Sequence, residues 1–320
     1  METKQEKTKH IPVLLKEVVS TLSLKPTNVF VDATLGGGGH FLALLQQLNG
    51  QGKAYAFDQD ENAISRMLEI LEQDGFKTLE KKNKRKLLVK GKLEVELLQD
   101  NFANYKNWID KTTTKIDAVI ADLGLSTDQV EDEGAGFSFL NDDSILDMRL
   151  DKTSQVRACD LLNGLYKKEL EKLFTELADI SFAKKLTNEI IEKRKERPIT
   201  KIGELKHIIQ RIVPFKLRRG ANKHPEAKVF QALRIAVNHE LSNLRDFLPQ
   251  AFETLASGGK LAVLTFHSGE DRIVKNYFRD LITNKIAQYE NDDKYIVASE
   301  DELQINKKSH SAKMRYITKN

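Results

Sequence analysis

The chain has 320 residues, is 40% hydrophobic, and carries 51 lysines and arginines against 47 aspartates and glutamates, a formal net charge of +4. That length allows one large domain or two ordinary ones with a sizeable core; the charge is too small to mark a nucleic-acid partner, so the placement of basic residues must carry that argument. The single cysteine, Cys159, excludes an internal disulfide and a cysteine-built zinc site, and no metal site is expected. No run approaches the roughly 20 apolar residues of a membrane span, and residues 1–10 carry no apolar leader. The expectation is a soluble, cytoplasmic protein.

In chain order, residues 10–25 read as a lead-in and short helix. Val29-Phe30-Val31-Asp32 is a first strand ending in a carboxylate. Gly36, Gly37, Gly38, Gly39 and His40 follow, then the helical pattern Phe41, Leu42, Leu44, Leu45, Leu48. Strand, tight turn and helix is the place where α/β folds bind nucleotides, and glycine lets the backbone approach a ligand closely. This is not a Walker loop, because no Gly-Lys-Ser/Thr follows to hold phosphates. A dinucleotide fingerprint can be drawn through the glycines, but consecutive glycines satisfy many patterns; a turn with no ligand is the competing reading.

Two further strands weigh against that competing reading. Lys53–Asp58 is an apolar run ending in an acid at about 20 residues past the glycines, placed to take ribose hydroxyls. Ile116–Asp122 has the same form. The carboxyl ends of parallel strands share one edge of a sheet, so Asp32, Asp58 and Asp122 should surround one cleft. An acidic cleft without a phosphate-gripping lysine suits a cationic ligand, and S-adenosylmethionine fits that description.

Helices are expected at about 38–48 and 61–73. Between Phe76 and Lys92 lies a lysine-rich run with Glu80 as its one acid, read as a solvated hairpin or loop, with an auxiliary contact to RNA phosphates as the sharper alternative. The strand Leu93–Leu98 leads to Asp100-Asn101-Phe102. After Asp122 the alternation stops, and helices are expected at Lys167–Ala178, Phe182–Lys195, Ile202–Val213 and Glu226–Leu248. Strand character returns at Lys260–Phe266, and Ser311–Ile317 reads as a final strand beside one near Tyr295–Ala298. The organisation expected is an α/β domain of residues 1–129 and 246–320, with a helical domain of residues 130–245 inserted. Within that insertion, Arg218, Arg219, Lys223 and His224 precede a helix N-terminus, where free N–H groups can meet a phosphate; a plain connecting loop reads equally well.

The ordered set of motifs resembles the bacterial small-subunit ribosomal RNA cytosine-N4 methyltransferases (RsmH, also called MraW). It runs through Asp32–His40, Asp58-Gln59-Asp60, Asp122–Gln129, Gly136–Phe139 and Leu146–Arg149. It continues through His224-Pro225, Phe230–Asn238, Phe266–Arg272 and Ser311–Lys313. The resemblance implies a class I, Rossmann-like methyltransferase sheet with a helical insertion, and S-adenosylmethionine as methyl donor. The implied substrate is a cytidine in the decoding region of small-subunit rRNA, within the assembled or assembling subunit. Carried over by position, Gly38, Gly39 and His40 contact the methionine part of the cofactor, Asp58 the ribose and Phe102 the adenine; Asp122 and Gln129 complete the set. Departures such as Asp142–Ile145, Glu226-Ala227-Lys228, Gly269 and His310 fall mostly in the insertion and loops.

The exocyclic amine of cytosine is a poor nucleophile, because its lone pair is delocalised. An acceptor beside it would take up developing positive charge. Asp122 is the first candidate, with pure cofactor binding as the alternative; His267 and Asp147 are second-rank candidates. Arg149 and Arg234 either bind phosphate or pair with nearby acids. Arg234 joins the basic cluster as a candidate RNA contact. A nicotinamide dehydrogenase would share only the glycine turn. A DNA amino-methyltransferase would carry an Asp/Asn/Ser-Pro-Pro-aromatic motif where Asp122-Leu123-Gly124-Leu125 stands. A non-catalytic ribosome-assembly factor would keep the fold without turnover.

Overall fold

Side chains of a strand alternate between its two faces, and this alternation builds the first unit of the molecule. The computed structural model describes residues 11–109, 115–125, 136–138, 140–213, 218, 225–290 and 294–320. Gln129, Arg219, Lys223 and His224 lie outside them. The strands are Val29–Asp32 (β1), Lys53–Asp58 (β2), Lys77–Lys82 (β3), Arg85–Lys90 (β4), Leu93–Gln99 (β5), Ile116–Asp122 (β6), Leu255–Thr265 (β7), Ala287–Gln288 (β8) and Lys313–Lys319 (β9). Among the described residues they form one sheet in the order β3-β4-β5-β2-β1-β6-β7-β9-β8.

Strands β5, β2, β1, β6 and β7 are parallel, as a Rossmann-like α/β sheet requires. Parallel strands are covered on both faces, and the alternation divides accordingly. Phe30, Ala54, Ala56, Ala118, Ile120, Ala262 and Leu264 pack into one apolar layer. Val31, Tyr55, Phe57, Val119, Ala121, Leu261 and Val263 pack into the other. The first layer is completed by helices Leu15–Leu22 (α1), Gly39–Gln47 (α2) and Glu61–Gln73 (α3).

The basic run is an edge hairpin: β3 pairs antiparallel with β4, and β4 with β5. Many of its cations have acidic neighbours. Lys81 meets Glu72, Lys82 meets Glu80, Arg85 meets Glu96, and Lys90 meets Asp74. At the other edge, β9 runs antiparallel to β7, and β8 to β9. The strand expected near Tyr295–Ala298 reduces to a single bridge, Ile296 to Met314.

The chain divides into two compact units, Met1–Gly124 with Asn243–Asn320, and Leu125–Ser242. The second unit holds helices Ala158–Gly164 (α4), Lys167–Ala178 (α5), Ala183–Glu196 (α6), Ile202–Ile212 (α7) and Pro225–Val237 (α8). Its core includes Leu170, Phe174, Leu186, Ile190, Leu205, Ile209, Phe230 and Leu233. The long helix expected over Glu226–Leu248 is two helices, α8 and Glu240–Thr254 (α9). His239 sits in the left-handed region at φ 53°, which a helix cannot continue through. Next to the break, Asn238 takes up Leu150: its Oδ1 accepts the Leu150 N–H at 2.8 Å, and its Nδ2 donates to the Met148 carbonyl at 2.8 Å. α9 and Ser268–Thr283 (α10) complete the second layer of the sheet through Phe247, Ala251, Val274 and Phe278. A six-residue helix, Glu300–Ile305 (α11), precedes β9. No helix among the described residues is long and apolar enough to cross a membrane.

Candidate functional site

The turn after β1 is pinned to both neighbouring strands. Ala33 N–H donates to the Ile120 carbonyl at 2.8 Å, and Leu35 N–H to the Phe57 carbonyl at 2.8 Å. Thr34 links the third strand end, its Oγ1 accepting the Asp122 backbone N–H at 2.6 Å. In the sequence, the only signal at Thr34 is its place between the acid and the glycines.

The glycines answer a packing demand inside the protein. Gly38 has φ +80°, and a Cβ there would lie 2.0 Å from Met67 Cε. A Cβ on Gly39 would lie 2.1 Å from Pro12 Cγ. α2 starts at Gly39 with no side-chain cap on its first N–H groups, so donors remain for a ligand at this end of the helix.

Asp32, Asp58 and Asp122 end three adjacent strands, and the structure brings them together as expected from the strand ends. Asp32 is 1% exposed. Its Oδ1 accepts the Thr34 N–H at 3.0 Å. Burial pushes its pKa up to about 7; the Thr34 hydrogen bond and His40 act downward, while the charges of Asp122 and Asp58 add to the rise. Asp58 accepts Gly36 N–H at Oδ2 (2.8 Å) and Asp60 N–H at Oδ1 (2.9 Å). Enclosure of its carboxyl raises its pKa to about 6 against those two hydrogen bonds. Each carboxylate oxygen has a second lone-pair site, so Asp58 both closes the glycine turn and keeps acceptor capacity. Arg66 donates to the Gly36 carbonyl at 3.3 Å and adds a positive charge near Asp58.

His40 is buried and bridges two elements. Its Nε2–H donates to the Val13 carbonyl at 2.9 Å, and its Nδ1 stands 3.4 Å from Asp122 Oδ2. Burial works against a charged imidazole. The hydrogen bond and charge of Asp122, with Asp32 and the Val13 carbonyl, outweigh it and hold the His40 pKa above its ordinary value. The other Asp122 oxygen, Oδ1, is buried and has no hydrogen-bond partner among the described residues. A buried acceptor without a donor is costly and rare in native proteins. It marks where a ligand N–H is wanted. Phe102 is half-buried at the end of β5, its ring edge-on to Phe247 at 5.2 Å.

The remaining candidates are engaged, in whole or in part, by their surroundings. His267 caps α10 through Nδ1, which accepts the N–H groups of Gly269 (3.2 Å) and Glu270 (3.4 Å); its buried Nε2, 3.2 Å from Glu270 Oε1, makes no hydrogen bond among the described residues. In the helical unit, Asp147 receives Arg149 at both carboxylate oxygens, 2.7 and 2.9 Å. Its pKa is held down by those hydrogen bonds, against the opposing effect of burial. Arg149 also donates to the Ser154 carbonyl, which makes the pair a brace for residues 147–154. Arg234 forms a two-pronged pair with Glu240, at 2.8 and 2.9 Å. Arg218 donates to the carbonyls of Gln210 and Val213, while its Nε is buried without a partner among the described residues.

The donor set fits S-adenosylmethionine: a glycine turn, uncapped helix N–H groups, three carboxylates for a cation and an aromatic ring near the edge. The chain is 35% identical to the ribosomal RNA small subunit methyltransferase H of Clostridioides difficile, over 97% of this chain and 98% of that protein. It is 38% identical to the protein of the same name from Caldicellulosiruptor saccharolyticus, over 97% and 99%. Among solved structures, an rRNA methylase from Streptococcus thermophilus aligns over 99% of each chain with 13% identity and a TM-score of 0.42. The model of the MraW methylase family matches residues 7–320, and the chain belongs to that family.

Proposed function

We propose that this chain transfers the methyl group of S-adenosylmethionine to the exocyclic N4 of a cytidine in the decoding region of small-subunit ribosomal RNA. The observation that carries the reading is the Oδ1 of Asp122 beside the glycine turn, buried and without a hydrogen-bond partner among the described residues. The MraW family match and the names of the relatives support it. When bound, S-adenosylmethionine supplies an electrophilic methyl group on a sulfonium. Gly38, Gly39, His40, Asp58, Phe102 and Gln129 would hold it. Asp122 Oδ1 would accept an N–H of the cytosine amine, favouring a pyramidal nitrogen and taking up the charge that develops on it. His267 and Asp147 serve as cap and brace.

The target base must leave its stack to be reached. The helical unit is the RNA reader in this proposal, with Arg218, Arg219, Lys223, His224 and Arg234 as contacts; the paired lysines of the β3–β4 hairpin add weak, salt-sensitive attraction. A substrate of this kind places the protein in the cytoplasm. The test is to map methylated cytidines on small-subunit RNA from cells with and without the protein, and to repeat transfer in vitro with purified subunits. One N4-methylated decoding-region cytidine that depends on the protein is expected. Tight NAD binding without S-adenosylmethionine binding, or binding without turnover on any small-subunit particle, overturns the reading.

A further inference from the structure

Residues 11–14 lie across the start of α2 as a strap. Pro12 occupies the space beside Gly39, and Leu14, fully buried, takes the left-handed conformation at φ 54° immediately before α1. A leucine persists there only when its surroundings over-determine the backbone. The clamp comes from the opposite end of the chain. Glu302 of α11 accepts the Leu14 N–H through Oε1 at 2.8 Å. The Ser309 hydroxyl donates to the same oxygen. Asn306 donates from Nδ2 to the Ile11 carbonyl at 2.9 Å.

The Leu14 N–H and the Val13 C=O belong to one peptide group. Its N–H end is held by Glu302 and its C=O end by His40 Nε2–H, whose Nδ1 faces Asp122 Oδ2. A carboxylate on the N–H of a peptide polarises it and makes its carbonyl a better acceptor, so linked hydrogen bonds strengthen one another. We propose that Glu302 is a positioning residue for the cofactor edge: through the Val13–Leu14 peptide it orients and charges His40, and through His40 it leaves Asp122 with one oxygen engaged and the other free for a ligand. The proposal rests on the reading that the turn at residues 36–40 holds S-adenosylmethionine. The charged groups that face His40 are Asp122 on β6 and Asp32 on β1; both stay in place when Glu302 is changed.

The test compares the full-length parent with Glu302→Gln, Glu302→Ala and Asn306→Ala. S-adenosylhomocysteine binding is read by calorimetry and the His40 titration by NMR. Glutamine keeps an acceptor for Leu14 N–H but loses the charge, so Glu302→Gln should bind nearly as the parent with a lowered His40 midpoint. Glu302→Ala should bind about tenfold more weakly, the scale of a lost buried hydrogen bond, with the lowest midpoint. Asn306→Ala loosens the strap without touching the relay, and should leave the midpoint close to the parent's. An unchanged midpoint in both Glu302 variants overturns the proposal, and Glu302→Gln decides alone if Glu302→Ala does not fold. A parent that binds no S-adenosylhomocysteine overturns the cofactor reading instead, and the His40 titration then still decides the role of Glu302.

Discussion

Asp122 closes the parallel strand β6, and Asp100 follows the last residue of the parallel strand β5, but the oxygens of the two aspartates are satisfied differently. Asp100 Oδ1 accepts the Asn101 N–H at 2.8 Å and Asn104 Nδ2 at 2.9 Å, while Oδ2 accepts Trp108 Nε1 at 2.9 Å. Burial alone would raise its pKa, but these hydrogen bonds, aided by Lys84, hold it below the ordinary carboxylate value. Asp122 has one oxygen near His40 and one buried oxygen without a donor among the described residues. A strand-end carboxylate is structural where its own neighbourhood consumes its lone pairs. Where one acceptor is left over in a dry place, it is available to chemistry.

The sharpest break between the two should come from Asp122→Asn. Single-turnover methyl transfer at saturating S-adenosylmethionine should fall by about a hundredfold, the range for losing one preorganised electrostatic contact, with a smaller loss of cofactor affinity. Equal losses in rate and affinity would return Asp122 to binding alone. Next in size, Asp58→Ala should weaken S-adenosylmethionine binding by about 1–3 kcal/mol, the scale of charge-assisted hydrogen bonds. Calorimetry on the folded variant checks it, and unchanged affinity would remove Asp58 from the site.

The pH dependence should separate Asp32 from Asp100 by sign. The folded-state pKa of Asp32 is raised to about 7 from 3.8. Its contribution to stability is therefore fully present below pH 3.8 and lost as pH rises through about 7. Asp32→Asn removes that dependence, so its stability relative to the parent should climb between pH 5 and 7, by on the order of 1–3 kcal/mol. Denaturant melts across that range measure it, and a constant difference would contradict it. Asp100, whose pKa is lowered, contributes stability above its unfolded-state pKa and loses it as pH falls. The smallest effect belongs to Asp100→Asn, about 1–2 kcal/mol of stability, because an amide offers one acceptor oxygen where Asp100 uses two. Methyl transfer at saturating reagents should survive in this variant; a loss as large as that of Asp122→Asn would erase the distinction drawn between the two strand ends.

Much of the sheet was legible in the chain itself. Alternation along β1, β2, β6 and β7 depends on neighbours in sequence, and its two sets of residues do become the two apolar layers. The helix Glu61–Gln73 begins where Asp60 accepts the Asn62 N–H, a local capping choice. The meeting of Asp32, Asp58 and Asp122 at one edge follows from parallel strands ending together.

Tertiary structure alone decided the rest. The apolar spacing of Phe230, Leu233, Val237, Leu241 and Leu244 runs unbroken through Asn238 and His239, yet the backbone turns left-handed there, where Asn238 reaches Leu150 and Met148. Pro12, Glu302 and Asn306 carry no sequence signal for a role at the glycine turn; the contacts that place the last two join residues nearly 300 positions apart. Periodicity and capping are set by residues a few positions away, and sequence displays them. Whether a carboxylate oxygen is left without a donor depends on every atom that folding brings to it, and for Asp122 those atoms come from β1 and α2, far off in the chain.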